Sequence, residues 1–251
     1  MQPSHGLRPR VAVVDPAPRS REHIRRAIRA LGHAPLVFTS IDELLAAGNS
    51  TRAYALMCFG VPAGVTDIRR VAEEAKEVVG REVPVMFATP EITSKTLRSP
   101  GRMQPNEFLA VQSCFSDIYN ALEELMIRER IPMGDPGLAW GRYRFFPSCA
   151  SVRVARTDVR LDTFQFELAL EFFHNPGRIL SPAWLQTMVN KPADADWTEW
   201  LEASVEVLRA KLSLGPSQTW KLGNAACGGY CLSSNVKKRR SPVKRAAEGC
   251  T

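Results

Sequence analysis

Hydrophobic positions in the first 127 residues fall into short apolar runs separated by stretches with helical spacing. Arg10 to Asp15 (RVAVVD) is rich in β-branched residues and is closed by Pro16, which cannot continue a central strand. Ser20 then precedes a stretch with Ile24, Ala27, Ile28 and Leu31 on one face, ended by Gly32. Pro35 to Phe38 predicts a second strand. Ser40, with Glu43 three residues on, makes a capping box for a helix through Leu44, Leu45 and Ala47 that stops at Gly48. Tyr54 to Phe59, Val83 to Ala88 and Phe108 to Val111 predict three more strands. Helical spacing returns at Val65, Ile68, Ala72, Ala75 and Val79, and again from Ser116 through Ile118, Leu122, Leu125 and Met126. Between Thr89 and Phe108, Pro90, Pro100, Gly101 and Pro105 limit any helix to about one or two turns. Continuous apolar strands alternating with helices specify a parallel sheet covered on both faces.

The pattern changes after the turn-rich segment Ile131-Pro132-Met133-Gly134-Asp135-Pro136-Gly137, which places a linker at 128–139 between a unit at 1–127 and another at 140–232. Tyr143 to Phe146 and Ser151 to Ala155 alternate like a small sheet. Asp162 with Gln165 caps a helix whose apolar face is Phe166, Ala169, Leu170 and Phe173, and Asn175-Pro176-Gly177 stops it. Ser181 and Pro182 start a second helix, with Leu185, Met188 and Val189 inward. A third runs from Trp197 with Leu201, Val205, Leu208 and Leu212 inward. Trp220 to Leu222 and Gly229 to Leu232 predict a terminal hairpin.

Composition narrows the classes. The chain has 251 residues, 45% of them hydrophobic and 24% charged, which is globular composition. No stretch reaches the ~20 apolar residues of a membrane span, and no secretory signal is visible in the polar first ten residues, so a cytoplasmic protein without membrane contact is expected. The net charge of +7 is unevenly placed. Residues 1–127 and 128–232 each carry a net +1, whereas 233–251 carries +5 from Lys237, Lys238, Arg239, Arg240, Lys244 and Arg245 against one acid. A segment of that composition is expected to be a disordered basic tail, able to bind phosphates without sequence preference or to stay simply solvated. The six cysteines form no CxxC pair and the four histidines add no metal-ligand spacing, so no metal or other cofactor is expected. No nucleophile elbow or glycine-rich phosphate loop appears, so an enzyme is not expected either.

The motifs carry a resemblance. Val159-Arg160-Leu161 with Phe166-Glu167-Leu168, Asn175-Pro176-Gly177-Arg178-Ile179-Leu180-Ser181, Leu208-Arg209-Ala210-Lys211-Leu212 and Gly229-Tyr230-Cys231-Leu232 stand in the order of an OmpR/PhoB-type winged helix. The first half resembles a bacterial receiver domain, so the whole chain resembles a divergent OmpR/PhoB-type response regulator. The resemblance implies a flavodoxin-like α/β receiver-like half followed by an α+β winged helix-turn-helix half. It also implies double-stranded DNA as partner, a homodimer through the receiver-like half, and RNA polymerase as a further candidate partner.

The receiver motifs are degenerate. Asp15 keeps one acidic position after the first strand, but Pro16 occupies the second, and Cys58 stands at the phosphoacceptor position four residues before Pro62. Thr89 is kept after the fourth strand. The usual Lys after the fifth strand falls near Ser113-Cys114, and no Lys lies between Lys95 and Arg128. An aspartyl phosphate needs a carboxylate nucleophile and oxygen ligands for Mg²⁺, and a thiol supplies neither. Phosphorylation-independent action is therefore expected, with Cys58 a buried strand residue.

In the winged helix the resemblance assigns DNA contact to the third helix and hairpin, at Thr198, Glu199, Ser204, Glu206, Arg209, Lys211, Lys221 and Asn224. The helix is more acidic than such helices usually are, and Ala226 replaces the wing Arg. Glu199, Glu202 and Glu206 read either as a groove-facing acidic edge or as an ordinary solvated face. A second function class stays open: a protein-interaction adaptor or anti-activator that has lost specific DNA reading.

Overall fold

The computed structural model describes residues 10–47, 54–61, 83–89, 108–110, 114–134 and 137–235, with isolated positions between 70 and 77. Most of the helix expected over 65–79, the proline-rich segment after Thr89, Ser113 and the basic tail lie outside the described residues.

The first half is built on β1 (Arg10–Val14), α1 (Pro18–Ala30), β2 (Leu36–Phe38), α2 (Ile41–Ala46), β3 (Tyr54–Gly60), β4 (Val85–Thr89), β5 (Phe108–Ala110) and α3 (Phe115–Arg128). The strands form one parallel sheet in the order β2-β1-β3-β4-β5, the flavodoxin-like winding. In register, Val13 pairs with Cys58 and Val14 with Phe59. Apolar residues fill both faces, as the unbroken runs require: Val11, Val13, Leu56 and Cys58 meet α1 and α3, while Ala12, Val14, Met57 and Phe59 pack on the other side.

One of the two serine start signals is used differently from its sequence reading. α1 begins at Pro18 rather than after Ser20, because a proline at the first turn costs no helical hydrogen bond. Ser20 lies inside the helix and its hydroxyl bonds the Asp15 carboxylate. Ser40 does cap α2, accepting the Glu43 N–H at 3.1 Å.

The second half contains β6 (Ala139–Trp140), β7 (Tyr143–Phe146), a 3-10 turn at Pro147–Cys149, β8 (Ser151–Val154), β9 (Thr157–Arg160), α4 (Thr163–His174), β10 (Ile179–Leu180), α5 (Pro182–Met188), α6 (Trp197–Lys211), β11 (Trp220–Asn224) and β12 (Tyr230–Ser234). A four-stranded antiparallel sheet, β6-β7-β8-β9, precedes three helices and a three-stranded sheet, β10-β12-β11, closes them. This is an α+β winged helix-turn-helix. Asp162 and Ser181 cap α4 and α5 as their positions predict. Phe145, Phe166 and Phe173 make edge contacts at 5.0–5.6 Å beneath Trp140 and Tyr143.

The two halves share a core. One continuous cluster of buried side chains runs from Val11, Ile24 and Met126 through Ile131 and Leu138 into Phe145, Phe172 and Leu208. The intervening chain is tied to the first half, since Gly134 N–H donates to Leu31 O at 2.9 Å and the His33 ring lies 2.9 Å from Pro132 O.

Candidate nucleic-acid interface and the strand-end site

In a doubly wound sheet the ligand site lies beyond the carboxyl ends of the strands, here the ends of β1, β3 and β4. Asp15 follows β1 and is 1% exposed. Its carboxylate accepts the Ser20 hydroxyl and the Ala17 N–H, the latter at 2.7 Å, while Arg21 donates to its backbone carbonyl at 2.7 Å. Burial raises the Asp15 pKa, and the Ser20 and Ala17 bonds and the Arg21 charge act in the opposite direction. The same carboxyl rests on Gly60, where a β-carbon would overlap it. Asp15 is turned inward as a cap on the start of α1.

Cys58 sits two residues before the end of β3 and is 1% exposed. Burial first, and then the charge of Asp15, push its thiol up to about 12, so it is neither a thiolate nor a hard ligand. Thr89 is buried at the end of β4. Among the described residues the lining does not fit Mg²⁺: one carboxylate, Asp15, faces the strand ends, and it is already satisfied by protein donors. Among the described residues no group of three His, Cys, Asp or Glu side chains is placed to hold a metal.

The second site is the outer edge of α6 beside the hairpin of β11 and β12. Asp196 caps α6 through the N–H groups of Thr198 and Glu199 at 2.9 and 3.1 Å. Leu201, Val205 and Leu208 turn inward, which leaves Thr198, Glu199, Glu202, Glu206 and Lys211 exposed. Lys221 and Asn224 are exposed on β11. Ser204 departs from its expected place: it is 2% exposed on the core side of α6, one turn from Leu201 and Leu208, and cannot face a groove.

Arg209 is also placed differently from a free phosphate contact. Its guanidinium donates to Leu222 O at 2.8 Å, to Asn224 Oδ1 at 2.7 Å and to the Glu206 carboxylate. Two of these donors join α6 to the wing, and the third holds the fork against Glu206 on its own helix. Between them lies a groove of about 440 Å³ lined by Glu202, Glu206, Arg209, Asn224 and Tyr230. Tyr230 and Glu202 were absent from the sequence-derived contact set. The GY pair at Gly229-Tyr230 marks the former, and the spacing of Glu199, Glu202 and Glu206 marks the latter as one member of an acidic edge. At the base of the wing, Gly229 has φ of 89° and its α-carbon faces Leu180 O, so the tight turn and the close approach both require glycine.

No protein-family model matches the sequence, and no curated protein matches it. Several solved structures are similar. Response regulator DrrB of Thermotoga maritima, an OmpR/PhoB homolog, is 14% identical with a TM-score of 0.39, covering 91% of this chain and 100% of that one. The DNA-binding domain of RstA from Klebsiella pneumoniae, in complex with the RstA box, is 20% identical with a TM-score of 0.31, covering 38% of this chain and 94% of that one. The chemotaxis response regulator CheY4 of Vibrio cholerae is 14% identical with a TM-score of 0.36, covering 47% of this chain and 99% of that one. At these identities and scores no residue role is carried over from them. Among the described residues no helix is long and apolar enough to cross a membrane.

Proposed function

We propose that this chain is a DNA-binding transcriptional regulator that acts without aspartyl phosphorylation. The observation that carries the second clause is the Asp15 carboxyl, folded onto Gly60 and held by Ser20 and Ala17. With a buried thiol beside it in place of a carboxylate, the described residues of the pocket offer neither a nucleophile nor a metal seat. The first clause is supported by α6 lying open beside a two-stranded wing, the arrangement in which a helix enters the major groove and a hairpin meets backbone or minor groove.

In this reading Thr198, Glu199, Glu206, Lys211, Lys221 and Asn224 face the duplex, and Arg209 positions the wing against the helix. Glu199 and Glu206 can accept from cytosine N4, which favours C·G pairs, while they repel phosphates and keep overall affinity low. Lys237, Lys238, Arg239, Arg240, Lys244 and Arg245 add salt-sensitive affinity without sequence preference. A homodimer through the receiver-like half belongs to the same proposal.

Enrichment from a random duplex library, using untreated protein at physiological salt, tests this. One enriched motif is expected, retained when residues 236–251 are removed. Binding without a motif that vanishes with the tail would reject it in favour of an interaction adaptor.

A further inference from the structure

The halves meet where α1 faces the middle of α4, and charged side chains fill that seam. Glu167 and Glu171, one turn apart on α4, are 1% and 2% exposed. From α1, Arg19 reaches Glu167 at 3.3 Å and Arg26 bonds Glu171. His23, 1% exposed, lies between them with Nδ1 3.4 Å from Glu167 and Nε2 3.7 Å from Glu171, and neither ring nitrogen makes a hydrogen bond. Arg26 also bonds Glu22 on its own helix at 2.7 Å, so one guanidinium serves a carboxylate from each half. Asn175 donates to Glu171 O at 3.0 Å, and the Asn190 N–H lies 3.4 Å from Glu167.

Two carboxylates this close in a dry seam are unequal. Glu171 has a bonded arginine, and Glu167 has one longer contact to an arginine that is 20% exposed. Asp117 on α3 adds further negative charge toward Glu167. Like charges without enough cations are resolved by a proton.

We infer that this cluster is a proton-responsive joint between the two halves, with Glu167 as the group that senses pH and the packed arrangement as the form that keeps its proton. Burial raises Glu167 to about 8 in the packed form, whereas in parted halves it returns to the ordinary value near 4.5. A raised carboxyl supports packing fully below 4.5 and loses that support as pH rises to 8. The other groups facing the seam do not oppose this above neutrality. Burial lowers His174 to about 4 and also lowers His23, so their support for packing is complete above 6.5 and is lost only on acidification. Glu22, held near 2, and Glu171, also lowered, are ionised throughout that range. Among these seam groups, Glu167 sets the slope between pH 6.5 and 8. The inference stands on the seam and is independent of what α6 binds.

Cys114 reports the joint. It caps α3 at 6% exposure, and the Glu167 carboxyl is among the groups that raise its thiol. The rate at which iodoacetamide alkylates Cys114, read by peptide mass spectrometry on the full chain, tracks the open population even when that population is small. Glu167→Gln keeps the shape of the protonated acid without its titration, and dividing the wild-type rate by the variant rate cancels the thiol's intrinsic pH dependence. The ratio is expected to rise about fifteenfold from pH 6.5 to 8. A ratio that stays constant over that range overturns the inference. Alkylation of exposed Cys149 serves as the reagent control and is expected to be equal in both proteins.

Discussion

The Asp15 carboxyl lies against Gly60 so closely that no side chain can be placed between the ends of β1 and β3. This contact fills the space between the two strand ends with the acidic residue that follows β1. Gly60→Ala tests the packing. The added methyl meets a short carboxyl fixed by Ser20 and Ala17 rather than a flexible chain end. A loss of about 1–3 kcal/mol is expected from urea unfolding midpoints. A neutral effect would mean that Asp15 swings freely.

Arg209 is expected to act through the wing. Arg209→Lys keeps the charge but cannot make the three-way bond to Leu222 O, Asn224 and Glu206. Thermal unfolding should register a loss of about 1 kcal/mol, and amide exchange should quicken in β11 and β12. If Arg209 were a plain phosphate contact, the lysine variant would leave exchange in the hairpin unchanged.

Glu206 is an exposed acid lining the groove, and Arg209 is its ion-pair partner. Glu206→Gln removes one charge repelling phosphate while keeping the amide able to bond Arg209. Duplex affinity at low salt should rise about fivefold, measured by fluorescence anisotropy, with the gain shrinking as salt screens it. An unchanged or weaker affinity at non-cognate duplexes would place Glu206 away from the backbone.

Acidification should weaken the fold through His174. Its ring bonds Leu170 O at 2.9 Å and meets the edge of Trp140 at 5.1 Å, and burial holds it near 4. A histidine held below 6.5 contributes stability that is complete above pH 6.5 and fades as pH falls toward 4. The loss is on the order of 2 kcal/mol, and His174→Gln should flatten that part of the urea-midpoint profile.

Legibility varied with how far apart the cooperating residues lie in sequence. β1, β3 and β4 were readable because strands buried on both faces must be unbroken apolar runs, and α4 to α6 because Asp162, Ser181 and the Leu201–Leu208 spacing are local signals. β6 and β9 were not singled out: one is two residues long and the other, Thr157–Arg160, is largely exposed and lacks an apolar alternation. The degenerate receiver motifs were visible as substitutions, but the inward turn of Asp15 depends on Gly60, 45 residues away, and on a serine that reads as a helix start. Ser204 was misplaced because aligned motifs assign a position without its side-chain direction. The seam was invisible. Arg19, Arg26, Glu167 and Glu171 look like solvated helix faces until the fold brings residues 145 positions apart into a bond.

The central claim joins DNA reading to independence from phosphate. Its most direct test is the dissociation constant for the enriched duplex, measured before and after incubation with acetyl phosphate and Mg²⁺, alongside intact-protein mass. The account predicts an unchanged mass and an unchanged dissociation constant. A gain of one phosphoryl mass together with a shift in affinity of tenfold or more would contradict it.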